Sequence, residues 1–376
     1  MKRFKRIIKR TMIITSSVIA ILVLAGVLFM QQPRFGRAPS GARLERIKQS
    51  PHYADGAFQN LSPTPALAEG KTFAGVLWEF LFSSRERLKP LDSIPSVKTD
   101  LLDLPAGENV LVWFGHSSYF MKIDGKTFLV DPVLSGAASP VSFTTRSFKG
   151  SDVYTPEDFP HIDYLFISHD HWDHLDYETV MALKPKIGTI VTGLGTGEHL
   201  ERWGFDPAMV REEDWNTEVK LDSGFTVYTT PARHFSGRGF RRNRALWTSF
   251  ALHTPGMRLY IGGDSGYDTH FAEIGKKYGP FDLAILENGQ YDENWKYIHM
   301  MPEQVVQAAA DLHAVTLFPV HSSKFALGNH AWDDPLKRVT AAAKQKGQKL
   351  ITPRIGEKVS LGDSTQLFTE WWTDLR

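Results

Sequence analysis

Phe166–Asp176 reads FISHDHWDHLD. Six of the eight residues from His169 to Asp176 are histidine or aspartate, and they follow directly on an apolar run. Imidazole and carboxylate are ligand groups for divalent cations. The chain has no cysteine, which removes disulfides, thiolate zinc sites, iron–sulfur clusters and cysteine nucleophiles together. Any metal site must therefore be built from nitrogen and oxygen. His169 and His171 are two residues apart, so one loop can aim both rings at a single ion. Asp173 and His174 follow at the turn into the next helix and can address a second ion.

The same pattern recurs downstream, with an apolar strand closed by a ligand-type residue. FTVYTTPARH ends at His234, RLYIGGD at Asp264 and VTLFPVH at His321. Strand ends along one edge of a layered α/β fold are where sites are built. Ligands arriving from separated segments are what a closed coordination shell requires. Asp264, in the tight GGDSG turn, is the best placed carboxylate to bridge two ions ~3.5–4 Å apart and trap a hydroxide between them. Such donors suit Zn²⁺, with Fe or Mn as alternatives.

Around this loop the chain reads as an alternation of strands and helices. VLVWFGHSSYFMKI and KTFLVDPVL flank Asp124-Gly125, a strong hairpin signal. DYLFISH, GTIVTG and DLAILEN read as strands; ETVMALKP, EHLERWGF and PEQVVQAAADLHA read as helices. Gly193, Gly195 and Gly197 do not match a dinucleotide-binding spacing and read as a strand-to-helix loop. Gln31 to about Pro65 is rich in Pro, Gly, Ser and Arg, which suggests a tether. Phe73, Val76, Leu77, Phe80 and Leu81 fall at helical spacing. That helix either packs on the main domain or serves as a membrane contact or lid over a lipid site.

The N-terminus carries Lys2, Arg3, Lys5, Arg6, Lys9 and Arg10, then runs uncharged from Thr11 to Met30. That is about the ~20 residues needed to cross a bilayer core. No small-x-small cleavage site closes the run, which favours an anchor over a cleaved signal peptide. Six cations precede the span, against Arg34, Arg37 and Arg43 after it. This asymmetry puts the N-terminus in the cytoplasm and the rest outside a bacterial-type inner membrane. The expected layout is a basic stub (1–10), an anchor (11–30), a tether and extension (31–105) and a hydrolase domain (106–376). A formal net charge of +1 gives no support for a nucleic-acid partner.

HDHWDH resembles the H-x-H-x-D-H signature of the metallo-β-lactamase superfamily, and His234, Asp264 and His321 fall in that superfamily's ligand order. WFGHSS (113–118), LVDP (129–132), PARH (231–234), GGDSGY (262–267), IHMMPEQVV and VHSSKFALG narrow the likeness. They are similar to the branch containing N-acylphosphatidylethanolamine-hydrolysing phospholipase D and the ascorbate-6-phosphate lactonase-like proteins. The phospholipase is the closer of the two over His299–Gly328.

The resemblance covers roughly Val110 to the C-terminus and implies a four-layer αββα sandwich with two Zn²⁺ at one edge. It implies one zinc on His169, His171 and His234, a second on Asp173, His174 and His321, and Asp264 bridging. Asp131 would orient a ligand histidine and Asp170 would support the ligands from behind. His116 would touch substrate or brace its loop, and His299 would position a phosphate or protonate the leaving oxygen.

SGRGFRRNR, just past His234, adds Arg238, Arg241, Arg242 and Arg244. Arg241 and Arg242 are candidates for collecting anionic head groups, unless the run is simply a solvated loop. The expectation is a membrane-anchored zinc phosphodiesterase for (N-acyl) phospholipids or other anionic diesters, attacking through a metal-bridging hydroxide. A lactonase and a non-enzymatic, metal-stabilised envelope scaffold are the rivals.

Overall fold

The computed structural model describes residues 2–82, 86–222 and 224–376, without the side chains of Lys2, Phe80 and Leu81. Its N-terminal part holds α1 (Lys2–Met30), α2 (Gly41–Ile47), a small hairpin of β1 (Tyr53–Ala54) and β2 (Ala57–Phe58), and α3 (Phe73–Phe82). Next come β3 (Val110–Trp113), β4 (Tyr119–Ile123), β5 (Lys126–Val130), β6 (Ile162–Ile167), α4 (Tyr177–Leu183), β7 (Ile187–Gly193), α5 (Gly197–Arg202) and β8 (Val210–Glu213). The second half holds β9 (Glu218–Lys220), β10 (Thr226–Thr230), β11 (Ser249–His253), β12 (Arg258–Ile261), α6 (His270–Tyr278) and β13 (Phe281–Glu287). It closes with α7 (Pro302–Asp311), β14 (Ala314–Val320), α8 (Asp334–Lys346), β15 (Lys349–Leu350) and β16 (Lys358–Ser360).

Among the described residues two seven-stranded sheets result, in the orders β16-β3-β4-β5-β6-β7-β8 and β15-β14-β13-β12-β11-β10-β9. Side chains alternate along a strand, so strands that are apolar at every position need cover on both faces. Tyr119, Met121, Phe128, Val130, Tyr164 and Phe166 fill the space between the sheets, together with Phe250, Ile285 and Phe318. Phe120, Leu129 and Leu165 turn the other way, onto Val180 and Leu183 of α4 and Leu200 of α5. On the outer face of the second sheet, Tyr260, Ala284 and Leu317 pack on Phe271, Val305 and Val339. The layers are helix, sheet, sheet, helix, as the resemblance implied.

Asp124 and Gly125 both take positive φ, 49° and 81°, and Ile123 pairs with Lys126. This is the tight turn whose twist matches the strands it joins. The run before it does not form one strand. It breaks at Phe114–Ser118 between β3 and β4, where Gly115 (φ 82°) and His116 (φ 52°) turn the chain.

The segment expected as a tether is packed over Gly41–Phe58. Ile47 and Phe58 are fully buried beside Trp215, Leu246 and Trp247, each worth ~1.5–3 kcal/mol. Arg43 reaches Glu212 at 2.6 Å and Glu198 at 2.8 Å, and also contacts Glu201. Ile47, Phe58 and Arg43 are among the contacts that fasten it.

Helix α3 also differs from its packed reading. Phe73 (71%), Leu77 (56%), Trp78 (66%) and Phe82 are exposed, while Phe80 and Leu81 of the expected stripe lie outside the described side chains. Helix α1 is long and apolar enough to cross a membrane, and none of its apolar window is covered by the rest of the chain.

Candidate metal centre

Strands β6, β10, β12 and β14 end at Ile167, Thr230, Ile261 and Val320, and the loops beyond them meet at one edge of the sandwich. His169 Nε2 lies 2.8 Å from His171 Nδ1, which lies 3.3 Å from His234 Nε2. A second group, Asp173, His174, His321 and His116, has ligand atoms within 4.8 Å of one another. Asp264 stands between the groups. Its Oδ2 is 3.1 Å from His174 Nε2, 3.7 Å from His234 Nε2 and 3.9 Å from His169 Nε2, and its Oδ1 is 3.2 Å from His321 Nδ1. Gly263, at φ +58°, lets this turn approach Ser168, which a Cβ would strike.

Hydrogen bonds behind the rings set which nitrogen faces inward. His234 Nδ1 donates to the Ile298 carbonyl at 2.9 Å. His169 Nδ1 donates to Ser168 Oγ at 2.9 Å, and that hydroxyl donates to Asp131 Oδ2 at 2.6 Å. Asp131 also accepts from His174 Nδ1 at 2.8 Å. With Nδ1 carrying these protons, the Nε2 atoms are turned to the centre, which is how ligand histidines are held.

Burial pushes His169, His234 and His321 well below the usual imidazole range, keeping them neutral and able to bind a cation. His174 goes the other way: burial opposes its charge, but Asp264, Asp173 and Asp131 raise it well above that range. Asp264 is held well below the ordinary carboxylate range; burial opposes this, and His174 and His321 outweigh it. His174 Nε2, Asp264 Oδ1 and His116 Nδ1 are buried without a hydrogen-bond partner. Orphaned polar atoms of this kind are costly and need an explanation. Divalent cations between the two groups would satisfy the first two, and an all-nitrogen-and-oxygen donor set suits them. The residues fit a metal.

Of the two roles expected for His116, touching substrate or bracing its loop, the geometry matches the second. His116 is fully buried, off the cavity wall, with Nε2 2.9 Å from Asp173 Oδ2 and its ring 4.1 Å from that of His321. Its backbone N–H donates to the Ser322 carbonyl, and its carbonyl accepts from His321 N–H, both at 2.9 Å. It therefore braces the second group. Asp170 turns away from the cluster, accepting from Gly237 N–H at 2.6 Å and bonding His199 Nε2 at 3.1 Å.

His299 faces the site, with its ring 5.0 Å from His234 and 5.3 Å from His321. Behind it stands Glu287, unanticipated, with Oε2 3.1 Å from His299 Nδ1 and Oε1 accepting from Met300 N–H at 2.7 Å. Burial pushes Glu287 up to about 7. His299 is raised, because the Glu287 carboxylate outweighs the burial that opposes its charge. Glu287 closes an apolar strand, the very pattern that marked the other site residues. Asn60 of the extension was also missed: it donates to the His234 carbonyl at 2.8 Å and accepts from His234 N–H at 3.1 Å. No local sequence signal marks it.

The cluster floors a cavity of roughly 500 Å³ whose other wall is apolar, with Phe73, Val76, Phe235, Trp295 and Leu327. Arg242 lines it; Arg241 is exposed and does not. Arg244 is engaged by the Tyr53 hydroxyl at 3.0 Å and the Gly56 carbonyl at 2.9 Å. Arg238 is buried, so neither is free to collect anions.

A family model described as a beta-lactamase superfamily domain matches residues 126–322. Outer membrane protein RomA of Klebsiella pneumoniae is 58% identical over 106 residues, 28% of this chain and 80% of that protein. N-acyl-phosphatidylethanolamine-hydrolyzing phospholipase D 1 of Caenorhabditis elegans is 32% identical over 268 residues, 65% of this chain and 74% of that protein. Igni18, a novel metallo hydrolase from the archaeon Ignicoccus hospitalis, shares the fold with a TM-score of 0.53 at 24% identity, covering 67% of this chain and 97% of Igni18. Family model, relatives and fold agree with the convergence of HDHWDH, His234, Asp264 and His321 on one edge, and the chain belongs to the metallo-β-lactamase superfamily of metal-dependent hydrolases.

Proposed function

We propose that this hydrolase is a membrane-anchored phosphodiesterase that holds two zinc ions and acts on N-acyl phospholipids or related anionic diesters. The observation that carries the reading is the pair of donor groups on either side of Asp264, opening onto a cavity that is polar on one wall and apolar on the other. His169, His171 and His234 would hold one ion, Asp173, His174 and His321 the other, and Asp264 both. Bound divalent cations make a water nucleophilic near neutral pH and stabilise charge on phosphoryl oxygens. His299, with Glu287 behind it, is the group that protonates the leaving oxygen. Arg242 attracts the phosphate, and the apolar wall takes the acyl chain.

The relationship to the Caenorhabditis elegans phospholipase D supports the substrate class. Helix α1, with its basic N-terminal flank, supports an inner-membrane span with the N-terminus inside and the catalytic part in the periplasm. The RomA name says outer membrane, where spanning chains are β-barrels; an apolar helix suits the inner membrane. The two locations separate on a sucrose gradient.

The deciding experiment is a hydrolysis panel with zinc-loaded full-length protein: N-acyl phospholipids in mixed micelles, simple phosphodiesters and lactones. Diester turnover without lactone turnover supports the reading. Lactone turnover alone makes the protein a lactonase, and silence throughout restores the scaffold.

Two further outcomes are expected. His174, charged at neutral pH in the metal-free state, must lose its proton to a metal. Zinc affinity should then rise with pH across the neutral range, with net proton release in calorimetry across buffers of different ionisation enthalpy; pH-independent binding contradicts this. Arg242→Ala should raise KM for anionic diesters about tenfold, the ~1.4 kcal/mol of one charge-assisted contact. Arg241→Ala should change it little in the same assay.

A further inference from the structure

The residues just beyond α1 lie against the back of the HDHWDH loop. Phe35 stacks edge-on against Trp172, 5.1 Å between ring centroids, and against Phe29 of the last helical turn at 5.3 Å. The Pro33 carbonyl accepts from Trp203 Nε1 at 2.7 Å. Two buried side chains then join this connector to the loop.

Arg238 donates to the Arg34 carbonyl at 2.9 and 2.8 Å, to the Asp170 carbonyl at 3.0 Å and to the Leu175 carbonyl at 2.6 Å. Its guanidinium lies 3.9 Å from the centre of the Trp172 ring, a cation–π contact. His199 takes the Arg37 backbone N–H on Nδ1 at 3.1 Å and bonds the Asp170 carboxylate through Nε2 at 3.1 Å. Gly36, at φ +67°, sits so close to His199 that a Cβ would strike the ring. Four carbonyl contacts and a stacked ring are far more than an anion-collecting surface arginine has to spare. Burial pushes Arg238 down to about 10, so it stays cationic at neutral pH.

We infer that the connector Pro33–Arg37 is a working part of the metal centre, clamping the His169–His174 loop through Arg238 and His199, so that the exit of the apolar helix and the order of the loop are one mechanical unit. The inference rests on the reading of that loop as a metal site. Arg238 and His199 are positioning residues: they touch neither metal nor substrate, and they hold the backbone that carries four of the proposed ligands.

The test uses full-length protein in lipid nanodiscs and three variants. Gly36→Ala unseats His199 from a position outside the hydrolase sandwich. Arg238→Met removes the carbonyl contacts, and Arg238→Lys keeps the charge without the planar fork. Gly107→Ala, where a Cβ meets open space, is the control. Two properties are read: hydrogen–deuterium exchange over 169–176 in metal-free protein, and the zinc dissociation constant by chelator competition, with the visible spectrum of the cobalt form as a check on ligand geometry.

Gly36→Ala and Arg238→Met should exchange faster across the loop and bind zinc roughly 10–100-fold more weakly, the range for partners that orient ligands. Arg238→Lys should recover part of the affinity, and the Gly107→Ala control should show no defect. Wild-type exchange and zinc affinity in Gly36→Ala and Arg238→Met overturn the clamp while leaving the metal reading intact. If wild-type protein binds no zinc yet the loop loosens in the variants, the clamp stands and the metal reading falls.

Discussion

Asp264→Asn is expected to abolish phosphodiester turnover, with kcat falling on the order of 10³-fold or more, ~4 kcal/mol of lost transition-state stabilisation. The side chain is buried and ionised, lies within 3.9 Å of ring nitrogens from both donor groups, and leaves Oδ1 unpaired. Asparagine keeps the shape but has one acceptor oxygen and no charge. It can neither span two cations nor balance the His174 cation that burial makes costly. The fold should survive, because Asp264 lies just beyond a strand end and the apolar clusters between and outside the two sheets are untouched. Kinetics on a simple diester, elemental analysis and a thermal melt separate the cases. Turnover near wild type with full metal content would remove Asp264 from the bridging position.

Replacing His299 should have the next largest effect, and the effect should depend on the leaving group. If His299 protonates the departing oxygen, His299→Ala lowers kcat about 10²–10³-fold for an alkyl leaving group. A p-nitrophenyl diester, whose leaving group needs no proton, should lose far less. A histidine that only positions phosphate would slow both substrates alike.

The pH profile adds a second check through Glu287. Its negative charge raises His299, and a general acid must be protonated, so the rate falls as pH rises past the His299 pKa. Glu287→Gln removes the charge, lowers that pKa and should move the alkaline limb to lower pH. A limb that stays in place, or moves to higher pH, would mean that Glu287 does not control this proton.

The donor set was legible because its members are chemically distinctive and close apolar strands, a pattern visible without knowing the partners. Asp131 came instead from the family resemblance that LVDP helps to carry. Glu287 obeys that rule, but a lone carboxylate at a strand end carries little signal by itself. The four arginines of SGRGFRRNR are a different matter. Composition cannot tell a solvated guanidinium from one stacked on Trp172 and spent on carbonyls more than 60 residues away. Asn60 and the anchors Ile47 and Phe58 were hidden for the same reason: their partners lie over 130 residues on, and a Pro- and Gly-rich stretch looks alike whether it is free or fastened. Short strands such as β9, β15 and β16, of two or three residues, have too few positions to display a period and exist only because a neighbouring strand completes them.

Seven side chains from four separated segments are proposed to hold a pair of cations, and metal counting tests this most directly. Full-length protein should be purified, loaded with zinc, freed of loosely held ions and assayed by elemental analysis. About two ions per chain are expected, falling to one or fewer in Asp264→Asn. A content near zero in the wild-type chain would contradict the proposed metal centre outright.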